Sequence, residues 1–507
     1  MENLTGGTPP VRYLPCVVPC KLYFRMNKIL DKIKNVPIGV KAAAVYTLAS
    51  VFSKGLAIIT VPIFTRIMST SEIGVVNLYN SWNSMLNAVV TLSLTSGGYS
   101  AALKEFGKER DQYQSSVLSL TSFVALIVAF IYIICPSFWN GLTGLSTDLM
   151  VLMLIGFFVA PAYDFWLARQ RYEYKYKLAG SLTAITALLA SLCAVMIVLH
   201  MNAKELSDVA NGRLYASNIV SYIIYGILWC IIIFRGKTFF NKKYWKFSLQ
   251  LSIPLIGYAL AAQVLSVSDR MMISKMVDNS AVGIYSTLYT VSSISLLVWS
   301  AINASFIPYL YQNIESDKNE IKKYSLLLMG AYAIVAALLT FFAPEIVRTL
   351  ATEEYYEAIY IMPPIAGGVF LTCVSNMYSN IMIYYKKTQY IMYASIAAAA
   401  TNVVLNYFCI AKFGYMAAAY TTLVAYIVLA LGEAVCAHVV CKKERGANYE
   451  VYNDKAVGLM AVMAILLCLS GLIWYQYAVL RYGIIIAGCA VGAVLGYRVI
   501  KMRKVKQ

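Results

Sequence analysis

Long stretches of this chain carry no Asp, Glu, Lys or Arg, among them residues 73–103, 114–147, 178–203, 279–314 and 456–480. A helix crosses bilayer hydrocarbon in about 20 mostly apolar residues, and irregular backbone cannot face lipid because its amides would find no partner there. The chain is therefore expected to be an all-α integral membrane protein. Composition agrees, since only 13% of its 507 residues are charged against about 25% in a soluble domain.

Apolar windows set against polar breaks predict about fourteen transmembrane helices. They lie near 42–65, 76–101, 115–137, 149–169, 178–200, 212–234, 250–273, 281–304, 324–346, 358–384, 389–411, 415–438, 456–476 and 480–499. If the amino terminus is cytoplasmic, most of the 42 Lys and Arg fall in inside segments, for example Lys104, Arg171, Lys175, Arg235, Lys387, Lys443 and Lys501. Arg66, Lys204, Arg213, Arg270, Lys275, Arg348, Lys412 and Arg481 fall outside, and Lys54 lies within the first span. One missed or invented span would invert everything downstream, so this bias supports the count and puts both termini in the cytoplasm.

A net charge of +18 could suggest nucleic acid, but the cations come in short bursts between apolar spans, so no nucleic acid partner is expected. Most of the eleven Cys lie within spans as small hydrophobes. Cys16 and Cys20 resemble half a metal site that nothing nearby completes, so no metal is expected. No loop is long enough for a folded domain, no P-loop pattern occurs, and the only His residues are His200 and His438. A membrane glycosyltransferase or polymerase is disfavoured on those grounds. Residues 1–40, with Pro9, Pro10, Pro15 and Pro19, read as a disordered cytoplasmic arm, and Met26 is an alternative start.

An internal echo relates the two halves. Arg66 precedes Gly74 by eight residues, as Lys275 precedes Gly283, at an offset of 209 residues that carries span one onto span seven. Six spans per copy is an even number, so the copies share one orientation and are related by a pseudo-two-fold axis along the membrane normal. The expected domains are the arm at 1–40, a first six-helix lobe at 41–236, a second at 237–441, and two extra helices with a basic tail at 442–507. Two such lobes can rock about a central cavity, which is the architecture of alternating access.

Within the spans, ionisable and amide side chains are the candidate site residues. Lys54 is too deep to snorkel, so it either meets an anionic ligand group such as a phosphate or pairs structurally with a carboxylate. The offset of 209 places Gln263 at the equivalent position. Asn77, Asn80, Ser84, Asn87 and Thr91 form one polar stripe on span two, suited either to sugar hydroxyls or to interhelical hydrogen bonds, as are Asn402 and Asn406 on span eleven. Asp269 and Arg270 suggest either an outer gate or a solvated helix end, with separate partners expected for the two charges. Asp164, with Arg169, and Glu433 are candidates for gating or ion coupling. Gly488, Gly492 and Gly496 are read as structural.

The segments Ser53-Lys54 with Pro62, Thr65-Arg66-Ile67-Met68-Ser69 with Glu72 and Gly74, Ser268-Asp269-Arg270, and Val282-Gly283-Ile284-Tyr285-Ser286 resemble the bacterial polysaccharide-repeat-unit flippases (Wzx-type). These belong to the multidrug, oligosaccharidyl-lipid and polysaccharide exporter superfamily, and the resemblance extends in layout over roughly residues 40–500. It implies a non-enzymatic flippase of the bacterial cytoplasmic membrane that moves undecaprenyl-pyrophosphate-linked oligosaccharide to the outer leaflet. In that picture Lys54 and Arg66 are basic positions of a cationic cavity, and Asp269-Arg270 is the span-seven motif. Membrane lipids and polysaccharide polymerase machinery are the implied partners. No cofactor is implied beyond a coupling gradient of H+ or Na+. The competing readings are a small-molecule or drug exporter of the same architecture, which would favour an acidic cavity, and a lipid II or teichoic-type flippase sharing the same headgroup.

Overall fold

The computed structural model describes residues 38–95, 98–315, 318–446 and 449–505. The proline-bearing arm up to residue 37, its expected disorder and the Met26 start lie outside them. Helices account for nearly all of the rest. The first lobe comprises α1 (Ile38–Ile67), α2 (Thr70–Val90), α3 (Gly98–Glu105), α4 (Arg110–Ile134), α5 (Pro136–Thr143), α6 (Thr147–Tyr172), α7 (Tyr176–Ala203) and α8 (Val209–Gly236). The second comprises α9 (Lys242–Met276), α10 (Asn279–Ser292), α11 (Ser295–Asn313), α12 (Lys318–Phe341), α13 (Ala343–Leu350), α14 (Met362–Tyr384), α15 (Gln389–Phe413) and α16 (Ala417–Arg445). The terminal pair, α17 (Asp454–Trp474) and α18 (Ala478–Val505), packs on α12 and α14.

All fourteen apolar windows fall on helix, with two instructive departures. Span two is broken: α2 ends at Val90, Leu92 and Ser93 take left-handed φ values of 50° and 49°, and α3 starts at Gly98. Among the described residues, eleven helices are long and apolar enough to cross a membrane, or twelve with α9, which bends by 48° between Ile253 and Leu255. Span eight is also interrupted, between α10 and α11.

Local chemistry repeats across the lobes at the same offset. Ser69 caps α2 in a reciprocal box with Glu72, whose carboxylate accepts from the Ser69 amide at 2.9 Å. At 209 residues on, Asp278 caps α10, accepting from the Ala281 amide at 2.7 Å. The short helices α5 and α13 each follow the third span of their lobe, and α1 packs on α7 as α9 packs on α15. Each lobe has its own core, with Tyr79, Phe157 and Leu149 in the first and Tyr332, Phe370 and Met377 in the second. Phe130, Phe234, Leu431 and Val435 instead lie exposed on the perimeter, the inverted pattern that lipid stabilises.

Candidate functional site: the face between the lobes

Helix α1 meets α7 through Val45 and Ala49, which touch Gly180. Lys54 is nine residues past Val45, and at 100° per residue it lies on the opposite side of the helix. Thr65 is eleven residues past Lys54, back within about 20° of the same face. The Thr65 hydroxyl donates to the Leu350 carbonyl of the second lobe at 2.7 Å. Lys54 therefore faces the second lobe, about 16 Å along the helix from that contact. It is exposed and makes no hydrogen bond or ion pair among the described residues. Among the described residues no carboxylate neutralises it.

The pseudo-equivalent position behaves alike. Ala261 and Leu265 seat α9 against α15 and α16, and Gln263, midway between them in sequence, lies half-buried on the far side. On α2, Asn80 is exposed and Asn87 half-buried, seven residues and so about 20° apart. Neighbouring Tyr79 points into the first lobe toward the Tyr222 hydroxyl at 3.4 Å, while Gly74 meets α10. The stripe faces away from the first lobe's core, and the side-chain amides of Asn80 and Asn87 carry no hydrogen bond among the described residues. One ammonium and several amides thus lie on the sides of α1, α2 and α9 turned away from their own lobes' packing.

At the end that carries Arg66, the lobes close on each other by a reciprocal set of contacts. A Cβ added to Gly74 would stand 1.7 Å from the Asn279 carbonyl oxygen, and one added to Gly283 would stand 2.0 Å from that of Thr70. Asn279 is Thr70 plus 209, and Gly283 is Gly74 plus 209, so each helix sets its glycine against the other's backbone. Only a residue without a side chain permits this approach. Thr70 and Ser280 also join through their hydroxyls. Arg66 donates to the Thr349 carbonyl at the C-terminal end of α13, at 3.2 Å. Its counterpart Lys275 donates to the Gly141 carbonyl near the end of α5. Each cation meets carbonyls that its helix leaves free at the negative end of the dipole. Arg66, expected in the cavity, is instead part of this clasp.

The other expected residues are distributed differently. Asp269 and Arg270 are buried, 1% and 9% exposed, within the second lobe. They pair with each other at 3.4 Å, and each also has a partner of its own, Arg270 donating to the Ser266 carbonyl at 2.6 Å. Tyr285 donates to Asp269 at 2.5 Å and the Arg270 guanidinium lies 4.5 Å from the Tyr289 ring centre, so the pair braces α9 against α10. Asp164 is half-buried on α6 and no ion pair joins it to Arg169, which binds Asp111, Gln114 and Glu173. The carboxylates of α4 and of the loop after α6 reach Arg169 first. Glu433 is 3% exposed and accepts from the Ser379 hydroxyl at 2.7 Å.

Asn402 and Asn406 are fully buried and take the interhelical role. Ser268 donates to Asn402 at 3.0 Å, Asn406 to Asn402 at 3.1 Å, and Thr421 to Asn406, joining α9, α15 and α16. Sequence reasoning missed Arg213, whose guanidinium lies 3.6 Å from the Phe64 ring centre, and the Glu345–Arg481 pair. It singled out Lys275 by the repeat but had no signal for its partner, which lies 134 residues away in the other lobe.

Two helical lobes related by a pseudo-two-fold axis, clasped at one end around a polar face, define a multi-pass membrane protein of the transporter type. The chain belongs to the polysaccharide biosynthesis protein family, whose profile matches residues 40–314, and a MatE profile matches residues 254–408. That places it in the multidrug, oligosaccharidyl-lipid and polysaccharide exporter superfamily. It is 21% identical over 403 residues to a probable low-salt glycan biosynthesis flippase, Agl15, of Haloferax volcanii, covering 75% of this chain and 79% of that one. It is 20% identical over 346 residues to an uncharacterised membrane protein of Methanocaldococcus jannaschii, covering 63% and 68%. In fold it resembles the lipid II flippase MurJ in an inward closed conformation, with a TM-score of 0.64, 16% identity and coverage of 90% and 99%. An inward-facing multidrug resistance transporter of the MATE family follows with a TM-score of 0.53, 13% identity and coverage of 80% and 99%. The relatives whose names state a function are flippases and transporters, not enzymes.

Proposed function

We propose that this protein flips an oligosaccharide linked to a polyprenyl pyrophosphate, of the undecaprenyl type, across a bacterial cytoplasmic membrane for surface polysaccharide assembly. The observation that carries this reading is Lys54: an ammonium unpaired among the described residues, on the side of a spanning helix turned away from α7, with the amides of Asn80, Asn87 and Gln263 likewise turned away from their own lobes' packing. A diphosphate headgroup must be neutralised to leave water, and a lysine between the lobes does this while the lipid tail stays in hydrocarbon. The amides suit sugar hydroxyls. A cation-selective drug exporter is disfavoured because the unpaired charge on this face is basic.

In this reading the clasped Arg66 end faces outward and both termini face the cytoplasm, the orientation that the distribution of Lys and Arg supports. The clasp opens to release cargo, and a gradient of H+ or Na+ drives the cycle through the buried carboxylate Glu433, with Asp164 a second candidate. Polysaccharide polymerase machinery is the expected recipient.

The test is a strain lacking the gene, complemented with wild type, Lys54→Ala or Lys54→Arg at matched membrane expression. Deletion should trap lipid-linked oligosaccharide in the inner leaflet and remove surface polymer. Wild type should restore export, Lys54→Arg in part and Lys54→Ala at under about a tenth, because an uncompensated diphosphate costs at least the 1.4 kcal/mol that a tenfold change represents. Full rescue by Lys54→Ala removes the role of Lys54, and a deletion that traps nothing removes the assignment.

A further inference from the structure

The two halves of the clasp are anchored differently. In the first lobe, α5 is held by its own lobe, with the Trp82 indole donating to the Thr143 carbonyl at 3.0 Å and Asn140 donating to Thr147 at 2.7 Å. In the second lobe, α13 is gripped from outside the lobe. Arg481, at the start of α18 and 3% exposed, forms a two-pronged pair with Glu345 in the first turn of α13, at 3.0 and 2.5 Å, and also donates to the Phe341 carbonyl at 3.3 Å. Tyr482 adds a hydrogen bond to Glu345 at 2.7 Å. A planar guanidinium against a carboxylate fixes direction as well as distance. The N-terminal end of α13 is therefore pinned to α18, while its C-terminal carbonyls at Thr349 and Leu350 receive Arg66 and Thr65 of α1. The four to five residues of helix from Glu345 to Thr349 and Leu350 separate those two attachments by about 6–8 Å.

We infer that the terminal helix pair controls one half of the clasp: Arg481 and Glu345 are positioning residues that hold α13 where its carbonyls can capture α1. Movement of α17 and α18, which lie outside both six-helix lobes, is thereby transmitted to the outer closure through a rigid eight-residue strut. The inference does not depend on the identity of the cargo. It makes the closure asymmetric, because the Lys275 half on α5 has no link to the terminal helices among the described residues.

The experiment uses the full-length protein in native membranes with one engineered cysteine pair at each half, Thr65→Cys with Leu350→Cys and Lys275→Cys with Gly141→Cys. Rates of joining by a short thiol-reactive cross-linker are read by mass spectrometry. In the Glu345→Gln/Arg481→Gln background the 65/350 rate should fall by about threefold, the loss of a contact of helix-terminus strength, while the 275/141 rate stays unchanged. The charge swap Glu345→Arg/Arg481→Glu should recover most of the 65/350 rate. Equal loss at both pairs, or no loss at either, overturns the inference. Should the double variant fail to fold, Tyr482→Phe removes a single hydrogen bond to Glu345. It should slow the 65/350 pair alone, and an unchanged 65/350 rate there overturns the inference equally.

Discussion

Individual side chains sort by whether their charge is matched inside the protein. Lys54 is not matched among the described residues, and its sensitivity to substitution should appear in transport and not in folding: Lys54→Ala should unfold in detergent at or above the wild-type temperature, since removing an unpaired ammonium costs no contact. A lowered melting temperature would point instead to a structural role. Glu173, in the loop after α6, is the opposite case. Burial raises its pKa, but hydrogen bonds from Lys175 and Arg169 outweigh this and leave it below the ordinary carboxylate value. A depressed folded-state pKa contributes stability that is present above the unfolded value and is lost as pH falls through the folded one. Glu173→Gln should therefore lower the unfolding temperature at pH 7, and variant and wild type should converge as pH drops below about 4. A gap that persists at low pH would mean the carboxylate's charge is not what matters. The buried Asp269–Arg270 pair shows how sequence can identify a motif and miss its geometry. Two adjacent charges on a helix ordinarily diverge, but here the arginine folds back over its own helix to the Ser266 carbonyl at 2.6 Å, with Tyr285 and Tyr289 closing round the pair.

Between elements, contact is set by backbone approach and by shared amides. The α2–α10 crossing depends on Gly74 and Gly283, whose missing side chains admit the partner's carbonyl. Replacing either with Leu should hold the Arg66 end open. Cross-linking between cysteines placed at Thr70 and Ser280 should then fall by an order of magnitude or more, because the intruding side chain meets backbone that cannot yield. An unchanged yield would show that the crossing shifts without opening. The Ser268–Asn402–Asn406–Thr421 network binds three helices of the second lobe. Asn402→Leu strands the buried hydroxyl of Ser268 and the amide of Asn406, and should cost about 1–2 kcal/mol, measured as a lower unfolding temperature with the first lobe's protease resistance intact. The polar stripe on α2 and the pair on α15 looked alike in sequence because amide spacing reports a shared face and not what that face meets. In the fold, one face opens between the lobes and the other is sealed by α16.

At the level of the whole molecule, two lobes clasped at one end mean that, in the proposed orientation with that end outward, cargo leaves only if the clasp opens. Joining Thr65→Cys to Leu350→Cys should arrest export reversibly, with reductant restoring it; export that continues through the closed cross-link would place the exit elsewhere. Membrane residence, helix content, the six-plus-six repeat and the mid-span position of Lys54 were all legible in the chain. Each follows from local physics: the lack of charge over a bilayer's thickness, the satisfaction of backbone groups in lipid, and a fixed spacing between cation and glycine. Fold alone decided that Arg66 closes an end instead of lining a cavity, that Lys275 closes the same end from the other lobe, that Arg169 turns from Asp164 to Asp111 and Glu173, and that Arg481 reaches α13. Those contacts join residues far apart in sequence, and which partner a side chain meets depends on how whole helices are placed, a quantity that no local pattern of residues encodes.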